Sequence, residues 1–167
     1  MTGEEYLWRY ERAVTDDTDK ITELVSETIR TVYPQYYPSG VVEFFCSLHR
    51  QAQIEKDIRE GNVRVLRSCG KIIGTGTLNG NHITRVFVMP EHQHQGCGTY
   101  IMHELEREIG EKYNSAVLDS SLPASGLYEK MGYCTVRHER IKAAEDAVLV
   151  YEVMEKILCD YSPDKLT

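Results

Sequence analysis

Apolar and polar residues recur along the chain with two different periods, which predict strands and helices respectively. Residues 6–13 alternate aromatic with charged side chains and predict a first strand. Within residues 21–32 the apolar positions have helical spacing, and Pro34 ends that helix. Residues 39–61 form a second helical region, counted as one element although it can contain a break, and Gly61 ends it.

Three segments rich in β-branched residues follow, separated by short turns. The Asn79-Gly80 pair before the third segment supplies the positive φ angles of a tight turn, which indicates antiparallel pairing. A helix with one apolar face, a further strand, a short helix and two closing strands complete the pattern. In chain order these predicted elements are residues 62–68, 71–79 and 82–89, a helix ending near Gly110, and residues 116–120, 123–131, 133–141 and 146–154.

The predicted order is therefore βααβββαβαββ. It predicts an α/β fold of the α+β kind, with a central mixed, mostly antiparallel sheet of about seven strands flanked by helices. The length of 167 residues fits one domain, residues 1–167, of which residues 162–167 are expected to form a loose tail. Five cysteines without a CxxC pair indicate neither a disulfide framework nor a zinc site.

The charge and hydropathy of the chain exclude several classes of partner. Nineteen basic and twenty-six acidic residues give a net charge of −7, which repels a phosphate backbone, so we expect no nucleic-acid partner. The first residues lack the basic and apolar regions of a secretory signal, and no segment approaches the roughly 18 apolar residues that span a bilayer. We therefore expect a cytoplasmic protein with no membrane partner.

The stretch EHQHQGCGT, residues 91–99, lies between an apolar strand and a predicted helix. The first N–H groups of a helix have no partner within it and carry a positive partial charge. Gly96 and Gly98 let the backbone fold around an anion there, and with Gln93 they form the pattern Q-x-x-G-x-G. Because backbone N–H groups alone can hold a pyrophosphate, the negative net charge does not oppose this interpretation.

Other interpretations of this loop fit its residues less well. A P-loop requires Gly-Lys before Ser or Thr, whereas Thr99 follows Gly98 directly. A dinucleotide fingerprint requires a third glycine where Ile101 stands. An H-x-H-x-x-C cluster at residues 92–97 offers no fourth ligand, so we expect no metal. For the short motif alone, a tight turn without a ligand stays the alternative.

Two longer stretches carry a family resemblance. RVFVMPEHQHQGCGTYIMHEL resembles the acetyl-CoA-binding segment of the GNAT superfamily of N-acetyltransferases, with an apolar strand, a proline, Q-x-x-G-x-G and an amphipathic helix. Further along, LPASGLYEKMGY is similar to the second signature of that family. Two signatures in the right order are more specific than either one. The predicted element order is also that of the family, so the resemblance covers nearly the whole chain.

The resemblance implies that acetyl-CoA is the cosubstrate. It implies that the backbone of one strand segment pairs with the pantetheine arm, that the glycine loop holds the pyrophosphate, and that the amide of Val88 polarises the thioester carbonyl. Ser121 stands where the family often has an asparagine that bonds the coenzyme arm. The residues implied in binding are Val86, Phe87, Val88, Gln93, His94, Gln95, Gly96, Cys97, Gly98, Thr99 and Ser121.

The resemblance also implies catalytic roles. Tyr128, in Leu-Tyr-Glu-Lys, falls on the general-acid tyrosine of the family, the alternative being a packed aromatic side chain. His82 is the candidate base, because a period of two places it on one face with Val86 and Val88, and several family members have a glutamate or histidine there. The alternatives for His82 are a solvated surface residue and a water chain as the base.

The predicted function is an N-acetyltransferase that moves the acetyl group of acetyl-CoA to a primary amine by direct transfer in a ternary complex. The segment Tyr33–Tyr37 lies where the family's substrate-covering loop falls, and its aromatic side chains, with Tyr36 and Tyr37 as the substrate-binding candidates, either wall an amine pocket or pack on the sheet. The apolar final strands allow a homodimer. A coenzyme-binding module without turnover and transfer of another acyl group stay as alternatives. The sequence does not identify the amine acceptor.

Overall fold

The computed structural model describes residues 8–158, which form seven strands and five α-helices. The strands are β1 Trp8–Arg12, β2 Val63–Ser68, β3 Lys71–Asn79, β4 His82–Val88, β5 Ser115–Ser120, β6 Cys134–Ala144 and β7 Ala147–Ile157. The helices are α1 Thr18–Val32, α2 Ser39–Leu48, α3 Gln51–Arg59, α4 Cys97–Gly110 and α5 Ser125–Lys130.

All seven strands join one sheet in the order β1-β2-β3-β4-β5-β7-β6. Each neighbouring pair is antiparallel except β4 and β5, which run parallel. This confirms the predicted fold class of a mixed, mostly antiparallel sheet flanked by helices. The predicted positions 6 and 7 of the first strand, and the predicted tail at residues 162–167, lie outside the described residues.

The second predicted helical region is two helices, not one. His49 ends α2 with φ −109° and ψ 35°, and Arg50 is extended with φ −66° and ψ 156°, so the chain turns before α3 begins. Apolar periodicity continues across this break because both helices bury one face, with Phe45 in α2 and Ile54 in α3. A pattern read from periodicity alone therefore merges them.

Helices cover both faces of the sheet and create two apolar cores. On one face α1, α2 and α3 pack against the sheet, and on the other face α4 and α5 do so. The apolar positions of α4 are buried as their spacing predicts. The largest buried side chains of the first core include Ile21, Ile29 and Ile54, and those of the second include Ile101, Met102, Leu105 and Ile109.

Two glycines in β3 let α4 approach the sheet closely. A β-carbon added at Gly74 would lie 2.7 Å from Cδ1 of Ile101, and one added at Gly76 would lie 2.8 Å from Cδ1 of Leu105. Both distances are shorter than van der Waals contact, so a larger residue would force these buried side chains of the packed core to move. The glycines thereby fix the position of α4, and with it the loop at its first turn.

The parallel pair β4 and β5 separates soon after it begins. Only His82 pairs with Val117 and Ile83 with Leu118. An extra residue, Thr84, is then inserted in β4 relative to β3, and such a bulge increases the local bend and twist of a strand. Beyond it, β4 continues next to β3 alone.

Strand β6 lies at the edge of the sheet, and β7 lies beside it. Val148 and Val150 of β7 are 60% and 55% exposed, although both are apolar. A homodimer through these final strands stays a prediction, as do the single domain and the cytoplasmic location. No helix among residues 8–158 is long and apolar enough to cross a membrane.

We predict that Gly76→Ala lowers the free energy of unfolding by about 1–3 kcal/mol, because the methyl group overpacks the contact with α4. Gly126→Ala is the matched control, since nothing lies within 4 Å of its added β-carbon. That variant should be neutral, or more stable by up to about 1 kcal/mol, because alanine favours a helix. Urea denaturation measures both values, and equal stability of the two variants would contradict the prediction.

Candidate active site

The backbone of β4 has free hydrogen-bonding groups on the side toward β5. The N–H of Met89 donates to the carbonyl oxygen of Ile73 at 2.9 Å, so alternation turns the backbone groups of Val86 and Val88 away from β3. The Val88 carbonyl accepts a hydrogen bond from Nε2 of Gln93 at 3.1 Å. The two N–H groups and the Val86 carbonyl therefore face the space from which β5 has separated.

The loop before α4 adopts left-handed backbone conformations. His94 has φ 61° and Gly96, the N-cap residue, has φ 87°, a value that a residue with a side chain adopts only with strain. The Tyr100 N–H donates to the Gly96 carbonyl at 2.9 Å and closes the first helical turn. The N–H groups of residues 97–99 precede it and have no acceptor within the helix, so they form a cradle for an anion.

A cavity of about 460 Å³ joins the open side of β4 to this cradle, and we call it the loop cavity. Most residues that the resemblance assigns to acetyl-CoA line it, but Gln95 and Ser121 do not. The Gln95 side chain instead donates to the backbone oxygen of Glu91 at 3.3 Å and so stabilises the loop. The assigned residues that line the cavity are Val86, Phe87, Val88, Gln93, His94, Gly96, Cys97, Gly98 and Thr99.

Cys97 lines the loop cavity, but its side chain belongs to the apolar core below α4. Burial raises the pKa of its thiol, which disfavours the nucleophilic thiolate. Residues 8–158 contain no group of three or more His, Cys, Asp or Glu side chains placed to hold a metal ion, and this includes the H-x-H-x-x-C stretch. The loop therefore offers backbone amides rather than reactive side chains.

A second cavity of about 280 Å³ lies against β4 and β5 on the side of α2, and we call it the sheet cavity. It is at the small end of ligand sites, which commonly span about 300–1,000 Å³. Its apolar walls come from Tyr33, Phe44, Phe45, Leu48, Ile83, Val86, Phe87, Tyr128, Ile141, Leu149 and Tyr151. Its polar lining comes from His49, Thr84, Arg85, Asp119, Ser120 and Ser121.

The two cavities meet at four residues that line both: Tyr33, Val86, Phe87 and Tyr128. Tyr128 projects from the short helix α5 and is 7% exposed. Burial raises the pKa of Tyr128, so its hydroxyl stays protonated at neutral pH. No hydrogen-bond partner within residues 8–158 contributes to that pKa shift. A protonated donor therefore stands at the junction, as a general acid requires.

The structure does not bring His82 into the sheet cavity with Tyr128. The expected face shared with Val86 and Val88 is wrong, because the bulge at Thr84 shifts the alternation by one residue. Nε2 of His82 is buried without a hydrogen-bond partner among the described residues, and lies 3.7 Å from Oδ2 of Asp119. Asp119 lines the cavity and His82 does not, so of these two neighbouring side chains only the carboxylate faces the sheet cavity.

The three tyrosines before α2 make different contacts, although the rings of Tyr33 and Tyr37 are neighbours with centroids 5.7 Å apart. Tyr36 is half exposed and lines the loop cavity, whereas the Tyr37 hydroxyl accepts the Leu122 N–H at 2.8 Å and ties this segment to the loop before α5. Tyr33, the first residue of the segment, lies at the junction with its hydroxyl 3.3 Å from Oγ of Ser121. Burial raises the pKa of Tyr33 to about 12.

A buried polar cluster on the wall of the sheet cavity was also absent from the sequence prediction. Arg85 of β4 is 4% exposed, and its Nη1 donates to Oδ2 of Asp57 at 3.0 Å and to Oγ1 of Thr77 at 3.2 Å. Its Nε donates to Nδ1 of His49 at 3.2 Å. Burial and the adjacent guanidinium lower the pKa of His49 to about 3, so this imidazole is neutral.

Comparison with known families decides the identity of this fold. Residues 32–152 match the family described as the acetyltransferase (GNAT) domain, a range that includes both signatures and the junction. The chain belongs to the GNAT family. A search of curated proteins finds no match.

Solved GNAT structures share the fold at low sequence identity. A GCN5-related N-acetyltransferase from Rhodopseudomonas palustris is 19% identical with a TM-score of 0.83, covering 90% of this chain and 95% of that one. PaiA N-acetyltransferase from Thermoplasma acidophilum, solved with coenzyme A, is 16% identical with a TM-score of 0.71, covering 90% and 99%. YncA from Salmonella typhimurium, solved with its cofactor acetyl-CoA, is 16% identical with a TM-score of 0.66, covering 93% and 96%.

The neutral His49 predicts a measurable acid sensitivity of this GNAT domain. Its pKa is about 3 in the fold and about 6.5 in an unfolded chain, so between these values the unfolded state binds a proton that the fold excludes. The contribution of His49 to the free energy of unfolding is fully present above the pKa of the unfolded state. It decreases as the pH falls below that value, by up to about 1.4 kcal/mol per pH unit. His49→Gln keeps an acceptor for Arg85 and should lose this slope between pH 6 and pH 5 by denaturation. Identical slopes in both proteins would contradict the burial of a neutral imidazole.

Proposed function

We propose that this GNAT domain is an N-acetyltransferase that moves the acetyl group of acetyl-CoA to a primary amine by direct transfer in a ternary complex. The observation that carries the proposal is the junction of the loop cavity with the sheet cavity at Val86 and Tyr128. A donor and an acceptor held in the two cavities meet there without a covalent enzyme intermediate. Cys97 is packed in the core and offers no nucleophile for such an intermediate.

The loop cavity fits the coenzyme by its backbone. Gly96 leaves open space where a side chain would stand, and the free amides of residues 97–99 supply donors and the positive end of α4 for a diphosphate. The free N–H and carbonyl groups of Val86 suit the amides of an extended pantetheine arm, which adds to β4 as a strand does, and the Val88 N–H is left for the thioester. When bound, acetyl-CoA supplies an activated acetyl thioester at the junction.

The residues around the junction have separate tasks in the transfer. The Val88 N–H stabilises the negative charge that develops on the thioester oxygen when the amine nitrogen bonds to the carbonyl carbon. Tyr128 gives its proton to the sulfur as the carbon–sulfur bond breaks, so the coenzyme leaves as a thiol. The amine loses its proton to a base, for which we propose His82 acting with Asp119 at the point where β4 and β5 separate.

This function is tested by incubating a panel of primary amines with acetyl-CoA and measuring the free thiol that is released. This screen also separates turnover from a module that only binds the coenzyme, because such a module binds without releasing thiol. Comparing thiol release from propionyl-CoA with that from acetyl-CoA in the same screen shows whether the enzyme transfers another acyl group instead of acetyl. Absence of thiol release above hydrolysis with every amine would overturn the proposal.

Tyr128→Phe removes the proton donor but keeps the aromatic ring that packs against Tyr133 with ring centroids 5.9 Å apart. We predict a fall in kcat of about 10²–10⁴-fold, the usual contribution of a general acid. The dissociation constant of coenzyme A should stay within about twofold, because the backbone cradle is unchanged. Steady-state kinetics and calorimetric titration measure the two quantities. An unchanged kcat across the pH range would remove Tyr128 from the mechanism.

His82→Gln and Asp119→Asn test the proposed base without changing side-chain size much. If the pair accepts the amine proton, both variants lose the acidic limb of the pH profile of kcat/KM for the amine, and their effects do not add. Thr84→Val, at the neighbouring bulge, is the control and should keep that limb. A full acidic limb in both His82→Gln and Asp119→Asn would favour a water chain as the base.

A further inference from the structure

Arg85 leaves part of its hydrogen-bonding capacity unused although it is almost fully buried. Its Nε donates to His49, and its Nη1 donates to Asp57 and Thr77. Among residues 8–158, no acceptor bonds to Nη2, which carries two further N–H donors. Of the Arg85 nitrogens, the Asp57 carboxylate accepts a hydrogen bond from Nη1 alone, through Oδ2. Its other oxygen, Oδ1, accepts a hydrogen bond from Nε2 of Gln53 at 2.9 Å.

A second buried arginine shows what a fully satisfied pair looks like in the same chain. Arg64 is 6% exposed and contacts Glu108 through both Nε and Nη2, while its Nη1 donates to the backbone oxygens of Gly61 and Val63. All three nitrogens of Arg64 have partners, as expected for a purely structural ion pair. Arg85 differs by its free Nη2, and Arg85 lines the sheet cavity.

His49 adds a donor beside Arg85. Because its Nδ1 accepts the hydrogen bond from Nε of Arg85, the proton of the neutral ring is on Nε2. His49 lines the sheet cavity and packs edge-on against Phe87, with ring centroids 5.5 Å apart. Arg85 and His49 therefore present N–H donors to the cavity, and Asp119 is the one carboxylate among the described residues that line it.

We propose that Arg85 and His49 form a carboxylate-binding subsite, and that the acceptor amine carries a carboxylate, as a small amino acid does. This inference rests on the proposed function and names its acceptor class. The Cα atoms of Arg85 and Phe87, two residues apart along β4, are about 7 Å apart, and Phe87 reaches the junction. Both side chains line the sheet cavity, so an acceptor with its carboxylate on Arg85 and its amine a few bonds away extends from the subsite toward the junction.

The charges favour a carboxylate over a phosphate. Arg85 carries one positive charge, which Asp57 already balances in part, and His49 is neutral. A single negative charge matches the remaining donors, whereas a dianion would stay underpaired in this enclosed space. The volume of about 280 Å³ and the aromatic walls suit a small acceptor with an apolar or aromatic side chain.

Calorimetric titration with matched probes tests the subsite apart from turnover. The probes are 3-phenylpropanoate, its neutral amide 3-phenylpropanamide, and the phosphonate analogue of the same length. We expect the carboxylate to bind at least tenfold more tightly than the amide, and more tightly than the phosphonate. Equal affinity for carboxylate and amide, or no detectable binding of the carboxylate, would overturn the subsite. Tighter binding of the phosphonate would overturn the choice of carboxylate.

Arg85→Lys keeps a positive charge beside Asp57 but removes the guanidinium fork, and should abolish the preference for the carboxylate. Arg64→Lys is the matched control, the same change at the other buried, ion-paired arginine on the opposite side of the sheet, and should keep the preference. A preference that survives Arg85→Lys contradicts the proposal. Thermal melting of both variants shows whether each is folded.

Turnover of phenylalanine against phenethylamine separates this inference from the proposed function. We expect kcat/KM to favour phenylalanine at least tenfold in the wild type and to lose that preference in Arg85→Lys. If phenethylamine releases thiol at an equal or higher rate, the proposed subsite is wrong but the proposed acetyltransferase activity stands. If the probes show carboxylate-selective binding and no amine gives thiol release, the proposed activity is wrong but the subsite stands.

Discussion

The separation of β4 from β5 is the constraint on which the rest of the site depends. Two residue pairs join these parallel strands, and the bulge at Thr84 then bends β4 away. The gap leaves the backbone groups of Val86 and Val88 without a neighbouring strand. In a continuous sheet these groups would be paired with that strand. It also opens the space in which the loop cavity and the sheet cavity meet. Unpaired backbone and a junction of two cavities are therefore consequences of one interruption in the sheet.

Helix α4 brings the second half of the site to this gap. Gly74 and Gly76 let the helix lie directly on β3, and Gln93 ties the preceding loop to the Val88 carbonyl. The first amides of α4 are thus held beside the free edge of β4 by packing rather than by charged side chains. This explains how a chain with a net charge of −7 can offer an anion site. The same contacts therefore contribute to stability and to binding, because the core beneath α4 also fixes the position of the amides that form the cradle.

Most of the fold and the loop could be predicted because their signals are local. Strand alternation, the spacing of apolar residues in α4 and the glycines of the loop each depend on neighbours in the chain. The position of His82 could not be predicted, because the inserted residue Thr84 reverses which face of β4 the residues on either side of it occupy. No turn residue in the sequence marks this insertion. The cluster joins Arg85 of β4 to His49 and Asp57, which lie 36 and 28 positions earlier in the chain, so its polar residues look like ordinary surface positions in the sequence.

The most direct measurement follows the backbone amides by NMR while coenzyme A is added to the ¹⁵N-labelled protein. The account predicts large saturable shifts for the N–H groups of residues 97–99 and of Val86 and Val88, with weaker binding by Gly98→Ala. The added methyl of that variant would make ordinary contacts at 3.7 and 3.8 Å with Leu127 and Val88, so the fold tolerates it while the loop cavity narrows. Unchanged amides in the wild type at saturating coenzyme A would contradict the account.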